Sequence, residues 1–147
     1  MDKTLDELVE EEVQRVINFG GLGNVVSALG KFVKDEQDYA RLIRNGLETH
    51  LNGAKNLKNI RTKEEAVHAS IFLTKYLHRL VEVMSDLMGH PEYIQTGIKV
   101  ADEVLEDFMK KFEKESNYRS YGFSKSISTL YKTETKPQIG LEKVLYH

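Results

Sequence analysis

The sequence contains no cysteine, which excludes disulfides, thiolate metal sites and cysteine nucleophiles together. It also lacks any apolar run near the roughly 18 residues that a membrane-spanning helix requires. The first seven residues carry three acids and one lysine, unlike the basic start of a secretory signal. We therefore expect a soluble, cytoplasmic protein that does not associate with a membrane.

Motifs for phosphate binding and for nucleophilic hydrolysis are missing as well. The chain has no Gly-Lys-Ser/Thr, no Gly-x-Gly-x-x-Gly, no Gly-x-Ser-x-Gly and no recognisable serine–histidine–acid triad. Gly20, Gly21 and Gly23 precede a predicted helix, whose N-terminus would suit a phosphate, but a chain reversal between helices explains them better and is favoured. The sequence therefore identifies no catalytic or cofactor-binding residue, leaves enzyme activity undecided, and gives no reason to expect a metal or cofactor.

The composition is that of one ordinary globular domain. The 147 residues are 40% hydrophobic and 30% charged, which suits a single core. The net charge of −2 provides no overall attraction for nucleic acid. The charge is segregated, because residues 1–12 carry six acids and one base whereas residues 41–63 carry six bases and one acid. These two segments are expected to pair within the molecule or across a dimer.

The N-terminal half predicts two helices. Thr4 and Glu7 form a capping box, which predicts a helix over residues 4–18. After the glycines, Asn24 is a suitable N-cap for a second, long helix over residues 25–57, continuous or bent near Asp35. Its predicted buried stripe comprises Val25, Val26, Leu29, Phe32, Val33, Tyr39, Ala40, Ile43, Leu47, Leu51, Ala54 and Leu57.

Two further helices follow. Thr62 and Glu65 form another capping box and begin the most regular amphipathic helix, which Gly89 ends. Pro91 fits the first turn of a fourth helix, which ends near Ser116. The predicted core face of the third helix comprises Leu77, Leu80, Val81 and Met84.

The expected fold is all-α: a four-helix bundle over residues 1–117 with a short C-terminal helical appendage, forming a single domain over residues 1–147. The alternative is an irregular helical domain in which the long second helix splits in two. The aromatic and basic segment 118–147 is expected to pack on the bundle or on a neighbouring subunit. Its apolar residues, too many for a solvated tail, are Phe123, Ile127, Leu130, Leu141, Val144 and Leu145.

Three groups of polar residues have the spacing of a binding site. Glu65 and His68 spell Glu-x-x-His, as in carboxylate-bridged di-iron bundles, with Glu48, Glu103 and Glu106 on partner helices; a solvated helix start explains the motif better. The pairs His78–Glu82 and Asp86–His90 place an imidazole and a carboxylate four residues apart, for which a helix-surface ion pair is favoured over metal ligation.

Basic residues in two segments could allow the protein to bind nucleic acid. Residues 41–63 and the aromatic segment 118–132 could contact phosphates and stack bases, respectively. Cations near the end of a helix also complement its dipole, and aromatic residues cap bundles, so nucleic-acid binding is not the favoured interpretation.

The layout of the chain, with Lys75 to Val83 reading KYLHRLVEV in the third helix, resembles a small uncharacterised archaeal four-helix family grouped structurally with cobalamin adenosyltransferases. That resemblance implies binding of ATP and a corrinoid at the subunit interfaces of a trimer. The adenosyltransferases' Thr/Gly/Asp-rich N-terminal segment has no counterpart here, and their Arg-rich helix motif is represented by Arg79 and Glu82, so no site residue is carried over. The favoured function is a non-enzymatic, self-associating helical protein. The alternatives are a nucleotide- or corrinoid-binding enzyme and a helical subunit of a nucleic-acid complex.

Overall fold

A computed structural model describes residues 3–52 and 63–115 of the chain. In these residues the protein is all-α, as predicted, with five α-helices and no strand. Short 3₁₀ turns precede and follow the second helix and precede the last. The helices are α1 (Leu5–Asn18), α2 (Leu22–Leu29), α3 (Glu36–Asn52), α4 (Lys63–Met88) and α5 (Ile94–Glu115).

The first helix begins where its capping box predicts. The Thr4 hydroxyl accepts a hydrogen bond from the backbone N–H of Glu7 at 3.2 Å and donates one to the Glu7 carboxylate at 3.1 Å. One free N–H of the first helical turn is thereby satisfied. The helix ends at Asn18, and Gly21 takes a left-handed φ of +77° in the turn to α2.

The favoured prediction of one long second helix is wrong, and the alternative that it splits in two is confirmed, since α2 ends at Leu29 and α3 begins at Glu36. The Asp35 side chain accepts a hydrogen bond from the Asp38 N–H at 2.9 Å, which starts a new helix. The 3₁₀ turn Gly30–Phe32 lies against the end of α4, where a Cβ on Gly30 would collide with the Met88 backbone. Asn24, predicted as an N-cap, lies inside α2, which begins two residues earlier.

The turn between the last two helices agrees with the prediction from the sequence. Gly89 adopts a φ of +78°, a conformation that side chains other than glycine rarely take, and ends α4. Pro91 then opens the 3₁₀ turn Pro91–Tyr93, which leads directly into α5. Both stop and start signals are confirmed.

The long helices alternate in direction along the chain. Contacts of Asp6 with Lys75 and of Glu10 with Arg79 show that α1 and α4 are parallel. Contacts of Tyr39 with Ser85 and of His50 with Tyr76 show that α3 runs antiparallel to α4. The four long helices α1, α3, α4 and α5 thus form an up-down-up-down bundle, and the short α2 is inserted between α1 and α3.

Helix α4 occupies the centre of the bundle, packed against α1, α2 and α5. Leu77, Leu80 and Val81 are buried as predicted, whereas Met84 is only partly buried. Burial extends around the helix beyond this face. Because neighbours cover several sides of α4, the buried set also includes Ala69, Ser70, Ile71, Phe72, Leu73, Thr74, Tyr76 and Ser85.

Some predictions fall outside the described residues. These are the end of the second helix over 53–57, the cap at Thr62, most of the basic segment beyond residue 52, and the whole C-terminal segment 118–147. Among the described residues, no helix combines the length and apolarity needed to cross a membrane.

Candidate interaction surface

At the start of the predicted second helix, most of the apolar side chains are exposed to solvent rather than buried in the core. Of its predicted core residues, Val26 and Val33 are buried, but Val25, Leu29 and Phe32 are exposed by 53%, 38% and 71%. Phe19 and Leu22, which precede them, are exposed by 74% and 36%. We call this set the α2 face: Phe19, Leu22, Val25, Leu29 and Phe32.

The spacing of the α2 face explains why it is continuous. Its members follow each other at intervals of three or four residues, so they lie along one side of α2 and its flanking 3₁₀ turns. The polar residues Asn24, Ser27 and Lys31 are also exposed, but their helical positions place them on the other side. Scattered apolar residues are normal on a surface, whereas a contiguous row of five large ones is typical of an interaction site.

The α2 face borders an apolar groove. Between α2, α3 and α4 lies a cavity of about 150 Å³. Gly46 lies at this groove, and a Cβ added there would meet only the Met84 methyl group, at 3.8 Å. The missing side chain at Gly46 therefore leaves the groove open. The lining residues are Val16, Leu22, Val25, Val26, Leu29, Leu42, Gly46, Leu47, His50, Leu80, Met84 and Met88.

Among the described residues, His50 is the one titratable side chain that lines this groove. Its Nε2 lies 2.7 Å from the hydroxyl of Tyr76, and the two rings are 5.5 Å apart between centroids. Burial lowers the pKa of His50, and the nearby charge of Glu12 partly opposes that effect. The groove therefore presents a neutral imidazole among aliphatic walls near pH 7, and it suits an apolar group rather than an ion.

A second, polar cleft of about 500 Å³ lies beside α1 and α4. The Arg79 guanidinium donates to both carboxylate oxygens of Glu10, at 2.8 and 3.3 Å, and to Glu82 at 3.1 Å. The Lys75 ammonium lies 3.4 Å from Asp6. Hydrogen bonding from Arg79 lowers the pKa of Glu10, so this pair is ionised at neutral pH. Lys75 and Arg79 of α4 thus pair with Asp6 and Glu10 of α1, so these ion pairs join the two helices along the cleft.

The two predicted histidine–carboxylate pairs are not formed. His78 instead binds Asp102 of α5, with 2.6 Å between Nε2 and Oδ1. His90 lies 3.0 Å from the Glu92 carboxylate and 3.2 Å from the Gly30 carbonyl oxygen. Both histidines thus connect different parts of the bundle, His78 with α5 and His90 with the turn that follows α2.

The Glu-x-x-His motif does not gather its predicted partners. His68 is buried, and its Nε2 lies 3.9 Å from a carboxylate oxygen of Glu64. Glu103 and Glu48 both pair with Arg44, and Glu106 pairs with Lys110 on the surface. Within residues 3–52 and 63–115, no three histidine or acidic side chains are arranged to hold a metal ion.

The two oppositely charged segments do not pair in the part of the chain that the structure describes. Acids of α1 pair instead with Lys75 and Arg79 of α4, and Arg44 pairs within α3 and with α5. Sequence reasoning placed most of the α2 face in the core and omitted Phe19 and Leu22. One feature of the sequence could have indicated this apolar surface: residues 19–30 contain no charged residue.

Comparison with known proteins finds no matching family, no matching curated protein and no matching solved structure. The resemblance to the adenosyltransferase-like family therefore stays a prediction.

Proposed function

We propose that this protein is a self-associating helical protein whose α2 face binds a second copy of the chain. The observation that carries the proposal is the row of five large apolar side chains, each at least 36% exposed, along α2 and its flanking turns. Removing such a row from water is favourable in proportion to the apolar area covered.

The chemistry of the surface favours a second copy over an ionic partner. Lys31 is the only charged residue in the stretch 19–32, so two copies can approach here without strong repulsion. Helix packing also needs a place for protruding side chains, and the groove between α2 and α3 provides one.

The expected association is weak. Covering the partly exposed side chains of two such faces contributes on the order of 10 kcal/mol. Association costs roughly 4 to 15 kcal/mol in lost freedom of motion and side-chain ordering. Because the two quantities are similar, we expect a dissociation constant in the micromolar range or above.

Sedimentation equilibrium of the full chain, from about 1 μM to about 1 mM, tests the proposal. The average mass should rise with concentration from one chain toward two. Val25→Glu places a charge on the α2 face and should keep the chain monomeric over the same range. Asn24→Glu is the matched control, because it adds the same charge in the same helical turn but on the polar side.

Two results would refute the proposal. The first is a wild-type chain that stays monomeric up to the highest concentration. The second is an association that Val25→Glu and Asn24→Glu weaken equally, since the α2 face would then play no particular part in it.

A further inference from the structure

The apolar residues of the segment 19–32 read the same from either end. Phe19 and Phe32 stand at its two ends, Leu22 and Leu29 stand three residues inside them, and the adjacent valines 25 and 26 occupy the middle. The pattern is Phe-x-x-Leu-x-x-Val-Val-x-x-Leu-x-x-Phe, with its centre between the two valines.

The structure exposes the two outer pairs of this palindrome symmetrically. Leu22 and Leu29 are the first and last residues of α2, and the two phenylalanines lie in the 3₁₀ turns on either side. Members of each pair are exposed to nearly the same extent, with 74% and 71% for the phenylalanines and 36% and 38% for the leucines. Of the central valines, Val25 faces outward and Val26 is buried.

Two-fold symmetry gives this pattern a physical meaning. In an isologous interface, residue i of one copy contacts residue j of the other, and j in turn contacts i. Two identical helices related by such an axis can run antiparallel, so that the start of each lies beside the end of the other. The exposed phenylalanine and leucine pairs of a palindromic face then meet side chains of the same kind.

We infer that two copies pair through antiparallel α2 helices about a two-fold axis that passes beside Val25. Phe19 of each copy lies opposite Phe32 of the other, and Leu22 lies opposite Leu29 of the other. The pairing rests on the proposed self-association and adds to it the partner's orientation and register. With only 14 residues in the segment, against roughly 20 to 30 a side in stable interfaces, the pairing is a weak one.

The register predicts which positions approach their own counterparts. Val25 lies next to the axis, so the two Val25 positions are close neighbours. Leu22 and Leu29 are seven residues apart in an α-helix, which is about 10 Å along the axis. In the antiparallel pair, the two copies of Leu22 are therefore separated by about 10 Å, beyond the roughly 7 Å between Cα atoms that a disulfide can bridge. Leu22 and Leu29 of opposite copies are side by side.

Because the chain has no cysteine, single cysteine substitutions report these distances without interference. Val25→Cys, Leu22→Cys, Leu29→Cys and the polar-side control Ser27→Cys are each equilibrated in a glutathione redox buffer, and disulfide-linked dimers are counted on a non-reducing gel. Val25→Cys should form at least about tenfold more linked dimer than Ser27→Cys, because pairing raises the effective concentration of the two thiols. Leu22→Cys and Leu29→Cys should each remain near the Ser27→Cys level alone, but link with each other when mixed.

The outcomes separate this inference from the proposed function. Strong self-linking of Leu22→Cys and of Leu29→Cys, without extra linking in the mixture, would show a parallel pairing and overturn the inference. A concentration-dependent dimer in which no position links above the Ser27→Cys level would also overturn it, while leaving self-association intact. A wild-type chain that is monomeric throughout would remove both. Circular dichroism of each variant confirms that its helical content is retained.

Discussion

The hydroxyl oxygen of Tyr39, at the start of α3, lies 2.5 Å from the hydroxyl oxygen of Ser85, near the end of α4. Both residues are fully buried, so the hydrogen bond satisfies two polar groups that would otherwise be costly in the core. Burial raises the pKa of Tyr39, which keeps its hydroxyl protonated. Gly97 of α5 makes room for this contact, because the Tyr39 side chain occupies the space that a side chain at position 97 would need.

We predict that Gly97→Ala destabilises the fold although alanine favours helices. The added Cβ would clash with the Tyr39 hydroxyl and lie 2.5 Å from a Val81 methyl group, and overpacking of this kind typically costs about 1 to 3 kcal/mol. Gly46→Ala is the matched control, also inside a helix but next to open space. It should gain up to about 1 kcal/mol from helix propensity. Urea unfolding measures both changes, and equal effects of the two substitutions would contradict the packing at Gly97.

We predict that Leu80→Ala lowers the free energy of unfolding by about 2 to 5 kcal/mol, as expected for a large side chain removed from a packed core. Leu80 is 3% exposed in the central helix. Met84→Ala, one turn later, should cost less because Met84 is only partly buried, although both side chains line the groove. Denaturant midpoints compare the two. A midpoint for Leu80→Ala that equals that of the wild type would show that the wrong face of α4 is assigned to the core.

We predict that His50 makes the fold less stable in mild acid. Burial holds its folded pKa below the ordinary value of 6.5, so the unfolded chain binds a proton more readily. Stability from this group is complete above about pH 6.5 and is lost as the pH falls toward the folded pKa. His50→Gln should therefore show a smaller loss of unfolding free energy than wild type between about pH 7.5 and pH 5.5. An identical loss in both proteins would argue against a buried, neutral His50.

His90 should change the pH dependence of stability in the opposite direction to His50, so its variant provides a contrast. Its hydrogen bond with Glu92 raises the pKa of His90, so the stability it contributes is present in mild acid and is lost as the pH rises through the folded pKa. His90→Gln should consequently enlarge the loss of stability on acidification. Urea titrations of the two histidine variants at the same pH values distinguish these signs.

We predict that the ion pairs of Arg79 contribute little to stability. The side chains of Arg79, Glu10 and Glu82 are each more than 40% exposed, and such pairs are typically worth about 0 to 1 kcal/mol. Arg79→Gln should lose no more than this, and the loss should shrink at high salt. Arg41→Gln removes the same charge from the exposed surface of α3 and is the control. A loss of several kcal/mol would assign Arg79 a larger structural role than its exposure suggests.

The C-terminal segment gives a prediction that rests on the sequence alone. Its six large apolar residues would each contribute roughly 1.5 to 3 kcal/mol if they became buried. We expect truncation after Asn117 to lower stability or change the oligomeric state. Thermal unfolding and sedimentation equilibrium of the shortened chain test this, and a shortened protein unchanged in stability, solubility and mass would contradict it.

Local signals in the sequence predicted both ends of α1, the end of α4 and the turn before α5, but not the break between α2 and α3 or the tertiary contacts. Thr4 starts α1, Gly89 ends α4 and Pro91 precedes α5, because capping and left-handed turns depend only on nearby backbone atoms. The predicted histidine–carboxylate pairs are wrong because side-chain contacts depend on tertiary packing rather than on nearby backbone atoms. His78 binds Asp102 of another helix, a choice that depends on how α4 and α5 pack.

The sequence itself determined that this chain is helical and where most of its helices begin and end, since hydrophobic period and capping are local properties. Only the tertiary structure decided which apolar residues are covered. Val25 and Val26 are adjacent members of the same predicted stripe, yet Val26 packs inward and Val25 faces outward. The break at Gly30 and Asp35 separates α2 from α3, and the bundle covers only one side of the short helix. Periodicity identifies an apolar face, but burial depends on whether a neighbouring element is present to cover it.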